Sequence, residues 1–342
     1  MRHLRVLVLM HQELVPPASL EGLSAKEINE WRMEWDVLRA LERLGHEVLP
    51  LGVGDELAPI RNARDEFQPH LAFNLLMHFH DAGVYDSAVV SYLELLKLPY
   101  TGCNPRGLFL AGDKALSKKV LAYHRIRAPR FAAFPQGRKV RSTPARLQFP
   151  LFVKSMSEHA STGISQASIV RDLDALRERV EFIHRNVGTA AIAEEYIEGR
   201  ELTIGVLGNQ RLTVLPLWEW FFDSLPQGAE PIATSRAKWD LAYQKRVGIR
   251  TGPAAALPEG KEREIARLAR RIYRSLELSG FARIDLRLDA EDRVWVLEAN
   301  PNPDLCAAED FARGAQAIGM EYDQLVQKLL GLGLAYRPAW KG

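Results

Sequence analysis

The chain has 342 residues, of which 47% are hydrophobic and 26% are charged, values that are ordinary for a globular protein of two or three domains. Its 45 basic and 43 acidic residues leave a net charge of +2, so composition gives no indication of a nucleic-acid or membrane partner. Its two cysteines are far apart in sequence, which argues against a disulfide framework and against a cysteine-based metal site. Because no apolar run approaches the length of a membrane helix, we expect a cytoplasmic protein.

The first third of the chain alternates strand and helix patterns. Val6 to Leu9 is a short apolar run typical of a buried strand, and apolar residues then recur at helical spacing from Ile28 to Leu44. Glu47 to Leu51 and Leu71 to Leu75 are the next strand candidates, and Val89 to Leu96 is predicted to be helical. Strands separated by helices favour an open, mainly parallel sheet of the α/β class.

The middle of the chain, residues 113–190, has the pattern of a second unit. A predicted helix from Lys114 to His124 is followed by a strand from Leu151 to Lys154. A polar loop then leads to a returning strand, predicted from Ser165 to Val170, and to a charged amphipathic helix from Asp172 to Ile183.

The last part of the chain contains further strand patterns, one beginning at Ala191 and one from Glu201 to Leu207. The segment from Trp218 to Arg250 has no clear period and is predicted to be irregular. Apolar residues on one face indicate a helix from about Gly260 to Leu278, and Gly280 suits its end. Two strands that pair as a hairpin are predicted to follow.

This hairpin joins Phe281–Leu288 to Val294–Asn300. A turn centred between residues 291 and 292 places Asp285 opposite Glu298 and Arg283 opposite Asn300, and the strand period of two puts all four on one face. The other face would be buried and would consist of Ile284, Leu286, Trp295, Leu297 and Ala299.

Two carboxylates directly across a hairpin repel each other. A hard divalent cation would offset the repulsion, and the Asn300 carbonyl would complete an all-oxygen site of the kind that magnesium prefers. Arg283, one step away, could stabilise a planar anion or a developing oxyanion. From these residues alone, the alternative is a surface strand with a fortuitous ladder of charges bridged by Arg283.

The motif Arg283-Ile284-Asp285, followed by Leu297-Glu298-Ala299-Asn300-Pro301, resembles the metal site of ATP-grasp enzymes, and of D-alanine–D-alanine ligases in particular. Four earlier segments resemble that family in the same order: Tyr92 to Gly102, Gly112 to Leu121, Pro150 to Ile164 and Glu194 to Thr203. The resemblance runs from about residue 70 to residue 330. It implies an ATP-grasp fold of the α/β (α+β) class. An N-terminal Rossmann-like domain would span 1–112, a central subdomain 113–190, and a C-terminal subdomain with the metal site 191–342.

The resemblance also implies roles for individual residues. Asp285, Glu298 and Asn300 would hold Mg²⁺, for which Mn²⁺ could substitute, and Arg283 would stabilise a tetrahedral oxyanion. His80 is the second catalytic candidate. The residues expected to bind the phosphates, adenine and ribose of ATP, or to cover them, are Lys114, Lys154, Ser161, Glu194, Glu195, Ile197, Glu201, Lys238 and Leu297.

The reaction that the resemblance implies is ATP-dependent joining of a carboxylate to an amine, both of them small molecules. The carboxylate would attack the γ-phosphate of ATP to give an acyl phosphate, and the amine would then displace phosphate. The loop from Met156 to Ile164 would close over the site and exclude water. Members of the family are commonly dimeric, so a homodimer would be in keeping with it.

The sequence departs from the family in the expected substrate pocket. Ala160 stands where the family has a serine, and Trp239 stands where it has a tyrosine, while His80 is kept. After the metal motif, acidic residues that include Asp304 and Glu309 replace the turn and the serine that bind the acceptor's carboxylate. Since acidic groups would repel a carboxylate over a few ångströms, Asp304 and Glu309 are expected to contact a different acceptor, either cationic or larger.

Three readings of function remain open at this point. The first is a carboxylate–amine ligase that acts on substrates other than D-alanine pairs, and the second is a genuine D-alanine–D-alanine ligase with a divergent pocket. The third is a nucleotide-binding regulatory protein that has lost catalysis, against which the intact set of lysines and metal candidates argues. An ATP-dependent carboxylase is disfavoured because no biotin-handling segment is apparent.

Overall fold

The computed structural model describes residues 3–80, 82–158 and 161–341. In this part of the chain the strands form three sheets of three, four and five strands, and helices pack around them. No helix within the same ranges combines the length and the apolar character needed to cross a bilayer. Cys103 and Cys306 are both buried and free.

The N-terminal sheet is parallel, with the order β2-β1-β3, which confirms the predicted open parallel sheet. From Val6 to Met10 its central strand is inaccessible to solvent, because helices cover both faces, and this explains its unbroken apolar run. The predicted helix from Ile28 to Leu44 is divided in two at Trp31. The elements are β1 (Arg5–His11), α1 (Ala25–Glu30), α2 (Arg32–Arg43), β2 (Glu47–Val53), α3 (Ala58–Phe67), β3 (Leu71–Asn74), α4 (Asp86–Leu95), α5 (Pro105–Gly112) and α6 (Lys114–Tyr123).

The central sheet is antiparallel, with the order β4-β7-β5-β6. It has its own small hydrophobic cluster, in which Val153 packs with Leu176 and Ala193. The returning strand predicted from Ser165 is shorter than expected, because Gln166–Ser168 form a 3-10 turn and only two residues pair with β5. The elements are β4 (Phe131–Phe134), β5 (Leu151–Ser155), β6 (Ile169–Val170), α7 (Leu173–Phe182) and β7 (Ala191–Glu195).

The C-terminal sheet is antiparallel, with the order β10-β9-β8-β11-β12. The prediction that residues 218–250 are irregular was wrong in part, since β9 continues to Phe222 and two short helices follow. Sheet pairing with two neighbours overrides the weak local pattern there. The elements are β8 (Arg200–Leu207), β9 (Thr213–Phe222), α8 (Ser235–Trp239), α9 (Leu241–Val247), β10 (Ile249–Pro253), α10 (Lys261–Ser275), β11 (Phe281–Leu288), β12 (Val294–Asn300), α11 (Asp310–Ala317) and α12 (Tyr322–Ala335).

The hairpin of β11 and β12 has the predicted register at its open end. Asp285 pairs with Glu298, and Arg283 pairs with Asn300. The register then shifts, so that Leu286 pairs with Val296, and Leu297 is the additional residue of a β-bulge. Because a bulge reverses the alternation of side chains, Val296 is buried with Ile284, Leu286 and Ala299. The predicted core positions of Trp295 and Leu297 were therefore wrong, and both are only partly buried.

The N-terminal and C-terminal sheets share their hydrophobic core. Leu9 of β1 and Ile284 of β11 belong to one cluster, and Val8 of β1 and Phe281 of β11 belong to another. The two clusters hold the β11–β12 hairpin against the N-terminal sheet, so the polar end of the hairpin has a fixed position.

Candidate functional site

Two cavities meet at the polar face of the β11–β12 hairpin. The smaller has a volume of about 80 Å³ and is lined by Asp285 and Glu298 among others. The larger, of about 370 Å³, is lined by Arg283, Glu298 and Asn300 among others. Glu298 and Lys238 line both cavities. The four hairpin residues singled out from the sequence thus lie where one cavity passes into the other.

A cluster of buried lysines and glutamates borders the smaller cavity. Lys154, at the end of β5, has its Nζ 3.4 Å from Glu298 and 3.6 Å from Glu194. Lys114, at the start of α6, lies 3.8 Å from Glu298 and donates a 2.6 Å hydrogen bond to the carbonyl of Glu158. Buried ammonium groups need such partners, since loss of hydration disfavours their charge.

The two lysines have opposite pKa shifts. Burial lowers the pKa of Lys114, and the attraction of Glu298 only partly compensates. Burial also works against the charge of Lys154, but the nearer carboxylates of Glu194 and Glu298 outweigh it and raise its pKa. Lys154 therefore stays cationic, as a group that binds an anion must.

Lys118 belongs to the same cluster and was missed in the sequence. Its side chain is 3% exposed and lies 3.4 Å from Glu194. Its Nζ also donates to the carbonyl of Leu297 at 3.0 Å. The spacing of four residues from Lys114, which puts both on one face of a helix, was the signal that could have identified it.

The rest of the smaller cavity suits a flat, partly apolar ligand. Phe152, Ile164 and Ile232 provide apolar walls, and Ser161 donates to the carbonyl of Ala233 at 3.0 Å, which ties the loop after β5 to the segment before α8. Glu201 pairs with Arg287 at 2.7 Å. Of the nine residues predicted to bind ATP, Lys114 lies beside the cavity and the other eight line it: Lys154, Ser161, Glu194, Glu195, Ile197, Glu201, Lys238 and Leu297.

The predicted metal ligands provide oxygen donors at the junction of the cavities. Asp285 accepts two hydrogen bonds from Arg283, of 2.7 and 3.0 Å, and Glu298 faces the ammonium groups of the lysine cluster. The Oδ1 atom of Asn300 accepts from the backbone of Asn302 at 3.0 Å. No group of three His, Cys, Asp or Glu side chains in the described ranges could hold a metal ion, but two opposed carboxylates with an amide oxygen fit a hard cation that keeps other positions for phosphate and water.

Arg283 is held firmly by carboxylates. Besides its two bonds to Asp285, its Nη1 lies 3.7 Å from Asp310. Burial disfavours its charge, but the attraction of Asp285 and Asp310 outweighs the burial and keeps its pKa well above its usual value. The guanidinium is therefore a permanent positive charge at the edge of the larger cavity.

The larger cavity is acidic. Asp304 and Glu309, predicted to contact substrate, both line it, as do Trp239, Asp310 and two residues that the sequence did not reveal, Glu34 and Asp86. Glu34 and Asp86 are 2% and 7% exposed, and burial raises the pKa of each to about 7.

A signal for Glu34 was present in the sequence. It lies three residues after Trp31 and four before Leu38, on the face of α2 that turns toward the core, and an acidic residue on an apolar face is unusual.

His80 is not brought together with Arg283. It is absent from the described linings of both cavities, its side chain is 53% exposed, and its Nδ1 lies 3.4 Å from Asp55. Its ring packs edge-on against Phe79. Ala160, one of the positions at which the sequence departs from the family, lies outside the described residues.

Comparison with known proteins identifies relatives of this chain. Residues 119–331 match the family model described as "D-ala D-ala ligase C-terminus". A D-alanine–D-alanine ligase of Desulforudis audaxviator is 34% identical over 91% of this chain and 95% of that protein. The uncharacterized protein y4sG of Sinorhizobium fredii is 31% identical over 87% of this chain and 86% of that protein.

Among solved structures, a D-alanine–D-alanine ligase from Bacillus anthracis complexed with ATP superposes with a TM-score of 0.74, covers 97% of both chains and is 22% identical. That likeness concerns the fold, and it confirms the predicted ATP-grasp architecture. The family match extends over more than half of the chain, and the relatives named above exceed 30% identity. Together they establish the family of this chain. The chain belongs to the D-alanine–D-alanine ligase family, a family of ATP-grasp ligases that form carbon–nitrogen bonds.

Proposed function

We propose that this protein joins a carboxylate to an amine at the expense of ATP, and that its substrates are not a pair of D-alanines. The observation that carries the proposal is the position of the hairpin. Arg283, Asp285 and Glu298 stand between a cavity bordered by lysines and an adjoining cavity whose charged lining residues are mostly acidic. The first suits a nucleotide and the second suits substrates that differ from two amino-acid carboxylates.

In this proposal ATP occupies the smaller cavity. Lys114 and Lys154 bind its phosphates as point charges, with Lys238 as a third contact and Lys118 holding Glu194 in place. The backbone of Glu195 and Ile197 contacts the adenine edge, and Glu201 takes the ribose hydroxyls. Leu297 packs on the adenine ring, and Ser161 belongs to the loop over the phosphates.

Asp285, Glu298 and Asn300 would hold Mg²⁺ or Mn²⁺. When bound, such an ion neutralises charge on the phosphates as the transfer proceeds. Glu298 lies within 4 Å of Lys114 and Lys154, so metal and lysines would approach the phosphates from the same side. The pairing of Asp285 with Arg283 fixes the orientation of that carboxylate.

The proposed reaction proceeds in two steps. A carboxylate oxygen attacks the γ-phosphorus, the bond to the β-phosphate oxygen breaks, and ADP and an acyl phosphate result. The nitrogen of a neutral amine then attacks the acyl carbon, phosphate leaves, and the nitrogen loses a proton. Arg283 stabilises the oxyanion that forms between attack and departure, because its charge is fixed before the reaction begins. His80 is retained as a catalytic candidate whose exposed position separates it from Arg283.

The remaining expectations from the sequence form part of the proposal. The domains would be 1–112, 113–190 and 191–342, and the separate hydrophobic cluster of the central sheet supports the middle one. A cytoplasmic homodimer is proposed as the state of the protein, with small molecules as its substrates.

The test is ADP release in the presence of Mg²⁺ from mixtures of carboxylates and amines, with D-alanine as one mixture. Some mixture without D-alanine should give the highest turnover, and hydroxylamine should trap the acyl phosphate. Replacing Lys154 by Met should lower ADP release about 100-fold, since a preorganised charge at the phosphates is lost. Replacing Lys119, an exposed lysine on α6, by Met should leave it unchanged.

Two results would contradict the proposal. Highest turnover with D-alanine alone, together with the dipeptide as product, would identify a genuine D-alanine–D-alanine ligase with a divergent pocket. ADP release that stays at background with every mixture would favour a nucleotide-binding regulatory protein.

A further inference from the structure

The buried carboxylate of Glu34 is the feature of the larger cavity that the chemistry above leaves unused. Glu34 lies on α2, and its side chain is only 2% exposed although it lines the cavity. Among the residues that the structure describes, its Oε1 atom has no hydrogen-bond partner. A buried carboxylate oxygen without a partner is unfavourable, so a hydrogen-bond donor supplied from outside the chain would stabilise the ionised form of Glu34.

The surroundings of Glu34 make a cationic donor the best match. Carboxylates line the same cavity, notably Asp86, Asp304 and Asp310, and the charge of Asp304 acts on Glu34. In their ionised forms these carboxylates attract cations and repel anions.

Three of the four cationic side chains that line this cavity are paired with carboxylates, and the fourth, Lys238, also lines the smaller cavity. Arg283 is bound by Asp285 and Asp310. Arg32 pairs with Asp36 at 2.9 Å, and Arg250 pairs with Asp223 at 3.1 Å. Because acidic residues outnumber basic residues in the lining of the cavity, its charge balance favours a cation.

Aromatic side chains complete this binding surface. Trp220 and Trp239 line the cavity, and Trp239 is 53% exposed. Indole rings pack against methylene chains and attract ammonium groups through their π-faces. The volume of about 370 Å³ is within the range for small-molecule sites.

We propose that the amine substrate carries a second ammonium group and that Glu34 binds it, so that a diamine is the substrate class of this cavity. The inference rests on the proposed function, because it assigns one of the two substrates of that reaction. One amine nitrogen would approach Arg283 and the acyl phosphate. The other would lie deeper, where the carboxylate of Glu34 accepts its hydrogen bond and Asp304 adds to the attraction. Glu34 is a specificity residue in this arrangement and takes no part in the bond changes.

The experiment is calorimetric titration of the full chain, saturated with a non-hydrolysable ATP analogue and Mg²⁺, with 1,4-diaminobutane and with 1-aminobutane. The two probes share a four-carbon chain and differ in the second ammonium group. The diamine should bind at least about tenfold more tightly, which corresponds to about 1.4 kcal/mol. In Glu34→Gln this preference should disappear, while the affinity for 1-aminobutane should stay the same.

The matched control is Glu42→Gln, an exposed glutamate on the same helix, in which the preference should persist. Equal affinities of the wild-type chain for the two probes would overturn the inference without any variant. An unchanged preference in Glu34→Gln would overturn it as well, provided that the variant binds the ATP analogue normally. Binding is measured without turnover, so equal affinities for the two probes would leave the ligase proposal intact. Absence of ADP release in the earlier test would not change the measured affinities.

Discussion

At the scale of single residues, the carboxylate of Glu34 lies in surroundings that disfavour its negative charge. Its carboxylate is buried between α2 and the larger cavity, and desolvation, assisted by the charge of Asp304, raises its pKa from 4.5 to about 7. In the unfolded chain the pKa returns to its ordinary value. Between these two values the folded protein binds a proton at Glu34 that the unfolded chain has released.

The sign of the resulting pH dependence follows from this difference. Since the folded state binds more protons, the contribution of Glu34 to stability decreases as the pH rises from about 4.5 to about 7. The Glu34→Gln variant lacks this term. The free energy of unfolding of the variant minus that of the wild type should therefore increase from pH 5 to pH 8, by an amount on the order of 3 kcal/mol at most. Urea unfolding without ligands at the two pH values measures it, and an equal difference between variant and wild type at both would contradict it.

The same residue scale shows what the sequence could and could not predict. Asp285 and Glu298 were predicted from their opposed positions in two strands and Lys154 from the family resemblance, and all three line the smaller cavity. Lys118 and Glu34 were missed, although their helical spacing was visible, because residue type does not reveal how much solvent a side chain keeps. The partners that hold Lys154 cationic are far away in sequence, and only the fold brings them together.

At the scale of elements, the β-bulge in β12 has a chemical consequence. The period of two predicted the pairing of Asp285 with Glu298 correctly, and it failed beyond that pair because Leu297 is an additional residue. The bulge disrupts ladder pairing at that residue, and its carbonyl accepts a hydrogen bond from Lys118. It also turns the Leu297 side chain into the smaller cavity. No local pattern in the sequence indicates such a shift of register.

The turn that leads into β8 is a second element whose backbone is restricted. Gly199 has a φ of +143°, and a Cβ atom there would lie 2.1 Å from the carbonyl oxygen of Leu288 in β11. Gly199→Ala should therefore lower the free energy of unfolding by about 2–3 kcal/mol. It should also weaken binding of an ATP analogue, because Glu201 follows in the same strand. Chemical denaturation and calorimetry measure the two effects.

Gly331 provides the comparison for this substitution. It lies on α12, and a Cβ atom added there would meet no neighbouring atom within 4 Å. Alanine also favours helices over glycine by about 0.5–1 kcal/mol. Gly331→Ala should thus be neutral or stabilising. A Gly199→Ala variant as stable as Gly331→Ala would show that the turn accepts a side chain and that β11 does not restrict it.

At the scale of the whole molecule, sheet types were easier to predict than their packing. The alternation of strands and helices indicated the parallel N-terminal sheet, and two strand patterns on either side of residues 289–293 indicated the hairpin of the C-terminal sheet. The sharing of a core by these two sheets depends on contacts between elements far apart in the sequence, such as those that carry Leu9 and Ile284. Local periodicity carries no information on such pairs, because it reports only which face of an element is apolar.

The shared core leads to a prediction about fragments. The two segments on either side of the boundary at residues 112 and 113 contribute side chains to the same hydrophobic clusters. For example, α12 packs on α2, where Leu41 and Leu329 lie in one cluster. Arg43 and Asp323 also pair across the boundary at 2.6 Å.

A fragment of residues 113–342 would expose the apolar faces of β11 and α12 to water, and burial of such faces supplies most of the stability of a domain. The fragment alone should therefore lack a cooperative thermal transition in circular dichroism and should bind a hydrophobic dye. Co-expression with residues 1–112 should restore both the transition and binding of an ATP analogue. If the fragment alone melts cooperatively within a few degrees of the full chain, the C-terminal sheet has a sufficient core of its own, and the position of the hairpin does not depend on the N-terminal sheet.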